Sequence, residues 1–195
     1  MKNLSFKKAT RQLILAGTII SFTFSYSCKK EKETEEETED HVHKTAISTF
    51  QPTYNDTLVS GTGTFTQMDN EPVILKLDIT VPSRANKSVA VHLHMMNDCS
   101  NKGTSAMGHW NPTNAVHGHL GAGPAHLGDI GNIDLDANGH ASYEITTDAW
   151  NINGSDTSRN VVGRSIIIHS GVDDYTSQPA GNSGTRIGCG GIVLQ

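Results

Sequence analysis

Hydrophobic and polar positions alternate with a period of two along most of this chain from Thr45 onward. In Val73–Val81 (VILKLDITV), Val73, Leu75, Leu77, Ile79 and Val81 fall on one side and polar residues on the other, the pattern of a half-buried strand. The same reading predicts strands over Thr45–Phe50, Leu58–Gln67, Ser88–Met95, Gly131–Leu135, His140–Thr146, Val161–His169 and Ile187–Leu194, separated by turn signals. Gly61 and Gly63 mark a bulge or a close approach in the second strand, and Asp69-Asn70 is a turn. Asp136-Ala137-Asn138-Gly139 joins two strands as a hairpin, with Asn-Gly supplying positive φ. Eight short strands, no convincing helix and no internal repeat imply an all-β fold, a Greek-key sandwich or flattened barrel. Two long segments, Met96–Gly128 and Ser170–Arg186, have no strand pattern. Loops of that length are usually functional or disordered, and a short helical turn fits within one.

The N-terminal part reads differently. Lys2, Lys7, Lys8 and Arg11 precede the apolar run LILAGTIISFTF, which is too short for a comfortable membrane span. Ser25-Tyr26-Ser27-Cys28 then resembles the cleavage box of a bacterial lipoprotein signal. On that reading residues 1–27 are a signal peptide and Cys28 carries lipid. An ordinary secretory signal, with Cys28 incidental, is the alternative. Residues 29–44 hold seven acids and four lysines with almost nothing to bury, a disordered charged tether. Lysines followed by acids after such a cysteine also resemble the surface-export signals of some Gram-negative lipoproteins. The expected organisation is therefore signal (1–27), lipidated tether (28–44) and a globular domain (45–195), placed in the cell envelope.

From Thr45 on, seven basic residues face thirteen acidic ones, so the domain is acidic. That argues against nucleic acid as a partner, and there is no basic amphipathic helix for a membrane surface. The sequence shows no patch that decides oligomeric state, a homodimer included.

Candidate chemistry lies in His92, His94, His109, His117, His126, Asp129 and His169. These are six of the ten histidines and one carboxylate, set in Gly- and Asn-rich sequence. Neutral imidazole suits copper and zinc, and a single carboxylate is a common fourth zinc ligand. His92 and His94 are two apart and share a strand face. His119, His140, His41 and His43 read as solvated side chains. Met95 and Met96 read as alternating core and loop filler rather than a soft copper site.

The residues VHLH, GHWNP, HLGDIGN, IIIH and GTRIGCGG, in this order, resemble the copper/zinc superoxide dismutase family from about Val59 to the C-terminus. The gaps of eight, nine and three residues from His109 through His117 and His126 to Asp129 are those of the family. The resemblance implies one copper on His92, His94, His109 and His169, and one zinc on His109, His117, His126 and Asp129. His109 would bridge the two metals and help move a proton. It implies dismutation of superoxide to O2 and hydrogen peroxide, with zinc structural. Arg186 matches the arginine that guides superoxide. Asp173 matches the carboxylate bridging one histidine of each set, with Asp174 a near neighbour. Cys99 and Cys189 match the family's disulfide, at the spacing of its bacterial periplasmic members, and lipid on Cys28 would leave no odd thiol. The 170–186 loop lacks the lysines and glutamates with which eukaryotic members guide superoxide. A copper/zinc store or scavenger on the same fold, with little turnover, is the second reading.

Overall fold

The computed structural model describes residues 42–195. The expected signal peptide, Cys28 and most of the tether lie outside the described residues. The strands are β1 (His43–Thr49), β2 (Gln51–Pro52), β3 (Ser60–Met68), β4 (Val73–Thr80), β5 (Ser88–His94), β6 (Gly131–Asp134), β7 (His140–Thr147), β8 (Ser165–His169) and β9 (Arg186–Leu194). They hydrogen-bond in the order β6-β5-β8-β9-β1-β3-β4-β7, every pair antiparallel, with β2 adding a short pairing to β9. The result is a nearly closed eight-stranded Greek-key barrel.

Alternation builds this core. Val73, Leu75, Leu77 and Ile79 of β4 are 0–1% exposed, while Lys76 and Asp78 between them face solvent. Burying each such aliphatic side chain contributes about 1.5–3 kcal/mol. Val89, Val91 and Leu93 of β5 meet Ile166 and Ile168 of β8 in the same core, with Trp110 and Trp150. Strands β5 and β8 are buried on both faces. The outer side of β8 at Ile167 is covered by Ala106 and the cysteine pair. The disulfide-bearing loop, with a helical turn over Asn101–Ala106, thus closes over the outside of the barrel.

Four sequence expectations change in detail. The first strand begins at His43, so His43 and Lys44 belong to the barrel rather than to the tether, and the strand breaks at Phe50, whose ring is buried. Strand β8, expected from Val161, begins at Ser165, because residues 161–164 form a turn closed by the Arg164 amide on the Val161 carbonyl (3.2 Å). The expected hairpin is only a turn. β6 pairs with β5 and β7 with β4, so the two strands part at once and leave the gap in the barrel. Only Gly139 has positive φ (75°) there, and Asp136 caps the turn by accepting from the amides of Asn138 and His140 at 2.8 Å each. Met95 and Met96 lie at the surface, 42% and 50% exposed, rather than in alternating core positions. The expected close approach at Gly61 is present, since a Cβ there would sit 1.9 Å from the Asp78 carbonyl.

Candidate metal centre

Strand period and register deliver the histidines to one place. In β5, Val91 and Leu93 point into the barrel, so His92 and His94 point out of it. β8 pairs alongside, and the register shifts between Ile168 and His169, a bulge that re-aims His169 and sets it opposite Arg186. His94 bridges to His109 across an isolated antiparallel pair. The loop is tied down by backbone bonds from Trp110 to Leu93 (2.8 Å), Gly128 to Trp110 (3.0 Å) and Leu93 to Gly128 (2.9 Å). A Cβ at Gly128 would lie 2.2 Å from the Leu93 carbonyl, so only glycine allows this approach.

The outcome is two groups of donors. The donor atoms of His92, His94, His109 and His169 all lie within 4.8 Å of one another, as do those of His109, His117, His126 and Asp129. His109 belongs to both. All seven residues are buried, Asp129 completely.

Each histidine of the first group has one ring nitrogen satisfied and one orphaned. His92 Nε2 donates to Asp173 at 2.7 Å, His94 Nδ1 to the Met107 carbonyl at 2.9 Å, His109 Nδ1 to Asp129 at 2.8 Å and His169 Nδ1 to the Gly184 carbonyl at 3.3 Å. Among the described residues, His92 Nδ1, His94 Nε2, His109 Nε2 and His169 Nε2 are buried without a hydrogen-bond partner. A neutral imidazole that donates from one nitrogen presents a lone pair on the other. Four lone pairs aimed together in a buried space suit a cation that accepts nitrogen ligands.

In the second group Asp129 is the hub. Its oxygens stand 2.8 Å from His109 Nδ1, 3.0 Å from His117 Nδ1 and 3.2 Å from His126 Nδ1, and accept the amides of Gly118 and His126 at 2.9 Å each. Burial works to raise its pKa, but the bonds from His109, Gly118 and His126 prevail and hold it at about 2, an ionised carboxylate. Burial, and then the neighbouring histidines, hold His92 and His94 well below the ordinary imidazole value. Burial chiefly lowers His169 to about 4, against the Gly184 bond, and lowers His126 too. Proton-free nitrogens are what a metal requires.

The groups are joined twice, by His109 and by Asp173. Asp173 reaches His92 Nε2 at 2.7 Å and His117 Nε2 at 2.8 Å. Asp174 instead faces solvent, accepting the amides of Thr176 and Ser177. Only a glycine fits at 181, where a Cβ would collide with the Asp173 carboxylate.

A cleft of about 610 Å³ opens over the shared His109, with His94 and His169 of the first group, His126 of the second and Arg186 among its lining residues. Arg186 is half-buried and donates from Nη1 to the Gly103 carbonyl (2.6 Å) and from Nη2 to the Met107 carbonyl (2.7 Å). Cys99 and Cys189 form a disulfide, Cα–Cα 5.7 Å, that fixes the loop bearing Gly103 and Met107 against β9. His119 packs its ring edge-on against Tyr175 at 5.0 Å. His140 pairs with Asp78 at the surface, and His43 is exposed. Sequence reasoning missed Met107 and Gln178. Gln178 accepts the His117 amide (2.8 Å) and donates to its carbonyl (3.1 Å). No local pattern signals either role.

An antiparallel barrel with two buried imidazole-rich groups that share one histidine and border one cleft has the donor sets of a binuclear metal protein. Residues 59–192 match the family model of copper/zinc superoxide dismutase. Curated copper/zinc superoxide dismutases from Schizosaccharomyces pombe and Botryotinia fuckeliana are 35% and 36% identical over 145 and 146 residues, 71% of this chain and 92% of each relative. A solved structure described as the clock protein EA4 matches with a TM-score of 0.67 at 28% identity, covering 77% of this chain and 94% of that one. The chain belongs to the copper/zinc superoxide dismutase family. Its activity is dismutation of superoxide at a histidine-based metal site, and its metals are copper and zinc.

Proposed function

We propose that copper is held by His92, His94, His109 and His169 and zinc by His109, His117, His126 and Asp129, one of each per chain. The observation that supports this most strongly is the set of four orphaned ring nitrogens: in His92, His94 and His169 the other nitrogen is committed to a fixed acceptor, and in His109 it faces Asp129 of the second group. An all-nitrogen set suits a metal cycling between two oxidation states, and a histidine-rich set with one carboxylate suits tetrahedral zinc. Copper, when bound, supplies the one-electron redox change, and zinc a redox-silent charge.

The chain's own residues do the rest. In the balanced reaction two superoxide anions and two protons give O2 and hydrogen peroxide. Arg186 attracts and orients the anion in the cleft, its guanidinium fixed by two carbonyls so that little reorganises when substrate arrives. His109 would hold copper through Nε2 and, when that nitrogen is free of copper, would carry there the proton that leaves with peroxide. Asp129 and Asp173 keep the ring orientations of their histidines. Zinc in this reading is structural. It pins residues 117–129, the stretch that also carries the Gly128 contact with β5.

We further propose that the enzyme works in the cell envelope, tethered by lipid on Cys28, where superoxide arises outside the cytoplasm. The positive N-terminal segment, the apolar run to Phe24 with Cys28 just beyond it and the disulfide all support this. Cys28→Ser should move the protein from the membrane to the soluble fraction with unchanged specific activity. Retention at the membrane would refute the anchor. For the metals, elemental analysis should give one copper and one zinc per chain. His126→Ala should lose zinc while much of the copper remains. Unchanged zinc in that variant would sink the assignment.

A further inference from the structure

The Asp173 carboxylate touches both donor groups, yet it stands in the long loop between β8 and β9 and needs something rigid to hold it. Edge strand β6 meets that need through one residue, Asn132. The Asn132 side chain donates from Nδ2 to the Asp173 carbonyl (2.9 Å) and accepts the Asp173 amide at Oδ1 (2.7 Å). Its backbone N–H, left over because among the described residues β6 is the end strand of the sheet, donates to the Tyr175 hydroxyl at 3.0 Å. Tyr175 sends its own N–H to Asp173 Oδ1 at 2.7 Å, on the oxygen that also takes His117.

Two further features suit this role. Tyr175 holds φ at +60°, a left-handed conformation that is unusual for an aromatic residue and persists only where its surroundings impose it. Behind it, a Cβ at Gly131 would meet His119 Nε2 and the Tyr175 hydroxyl at 3.0 Å each, so the strand approaches the ring pair as closely as glycine permits.

We propose that Asn132 and Tyr175 are positioning residues that clamp the Asp173 carboxylate onto His92 and His117, so that one edge strand sets the geometry of both metal groups. The proposal rests on the copper and zinc assignment above. Asn132 fixes the Asp173 backbone, the hydroxyl of Tyr175 anchors its ring to β6, the Tyr175 amide fixes the carboxylate, and the carboxylate fixes one imidazole of each group. Outer partners of ligating histidines typically change metal affinity by about 10–100-fold when removed.

The test uses full-length protein loaded with copper and zinc, as parent, Tyr175→Phe and Asn132→Ala. Tyr175→Phe removes only the hydroxyl and keeps the ring on His119, so it remains informative if Asn132→Ala fails to fold. Two signals are read: the rate of zinc release to a chelator and the Cu(II) electron paramagnetic resonance spectrum. The clamp predicts zinc release faster by roughly tenfold or more, together with a changed copper spectrum, because Asp173 holds His92 as firmly as His117. Faster zinc release with the parent copper spectrum would mark a loop-stability role only and overturn the proposal. A changed spectrum with parent zinc release, or no change in either, would also overturn it. A parent protein without one copper and one zinc would instead overturn the metal assignment itself.

Discussion

Arg186 and His94 share one acceptor, the carbonyl oxygen of Met107, at 2.7 Å from Arg186 Nη2 and 2.9 Å from His94 Nδ1. Met107 reaches this position with φ at +67°, and the disulfide loop holds it there. A single peptide group thus sets the distance between the cation proposed to meet the substrate and a histidine proposed to hold copper.

Arg186→Ala should lower kcat/KM by about ten- to a hundred-fold, the range of electrostatic guidance, while copper content stays at the parent value. The guanidinium acts on the anion and is not among the donors. Arg186→Lys should recover part of the rate, since charge survives and the planar fork does not. Steady-state rates at low and moderate salt, alongside elemental analysis, check both. A parent rate in Arg186→Ala would remove the guiding role.

Cys99→Ser or Cys189→Ser should lower stability by about 2–5 kcal/mol. The closed loop spans 90 residues, for which the chain-entropy model gives about 4–5 kcal/mol. Activity should fall as well, because the loop that positions Gly103 and Met107 loosens its hold on Arg186. Denaturant unfolding of oxidised parent and variant measures the difference. Equal midpoints with equal slopes would contradict it.

The period-two pattern made the barrel legible. VILKLDITV is strand β4 almost to the residue, and the two-residue spacing already put His92 and His94 on one face. Which face it was could not be read, because every residue of β5 after Ser88 is buried, the histidines under loops rather than in the core. The parting of β6 and β7 depends on partners elsewhere in the chain, as does the late start of β8. Met107, Asn132 and Tyr175 act through backbone groups or a single hydroxyl brought in by tertiary folding. Their side-chain types announce nothing. Arg186 and Asp173 were legible only through the family resemblance of their surroundings.

The metal-free domain should lose stability in acid in two stages. His92, His94, His126 and His169 have native pKa values below the ordinary 6.5, so below that pH the unfolded chain binds protons that the native state refuses. Stability therefore falls as pH drops below about 6.5, and the His169 contribution is spent near 4. Asp129, held at about 2, contributes above the unfolded carboxylate value of about 3.9 and is lost between that value and about 2. Urea midpoints of metal-free protein from pH 8 to pH 3 test this. A midpoint that rises between pH 6.5 and pH 4 would contradict it.

The central claim is that this pair of donor groups turns over superoxide rather than only storing metal. Superoxide consumption should be followed by pulse radiolysis for copper/zinc protein, demetallated protein and protein reloaded with zinc alone. Rapid catalytic decay that scales with bound copper is expected, with none from the demetallated or zinc-only forms and full recovery when copper is restored. Decay no faster with bound copper than without it would contradict the account and leave a metal store on the same barrel.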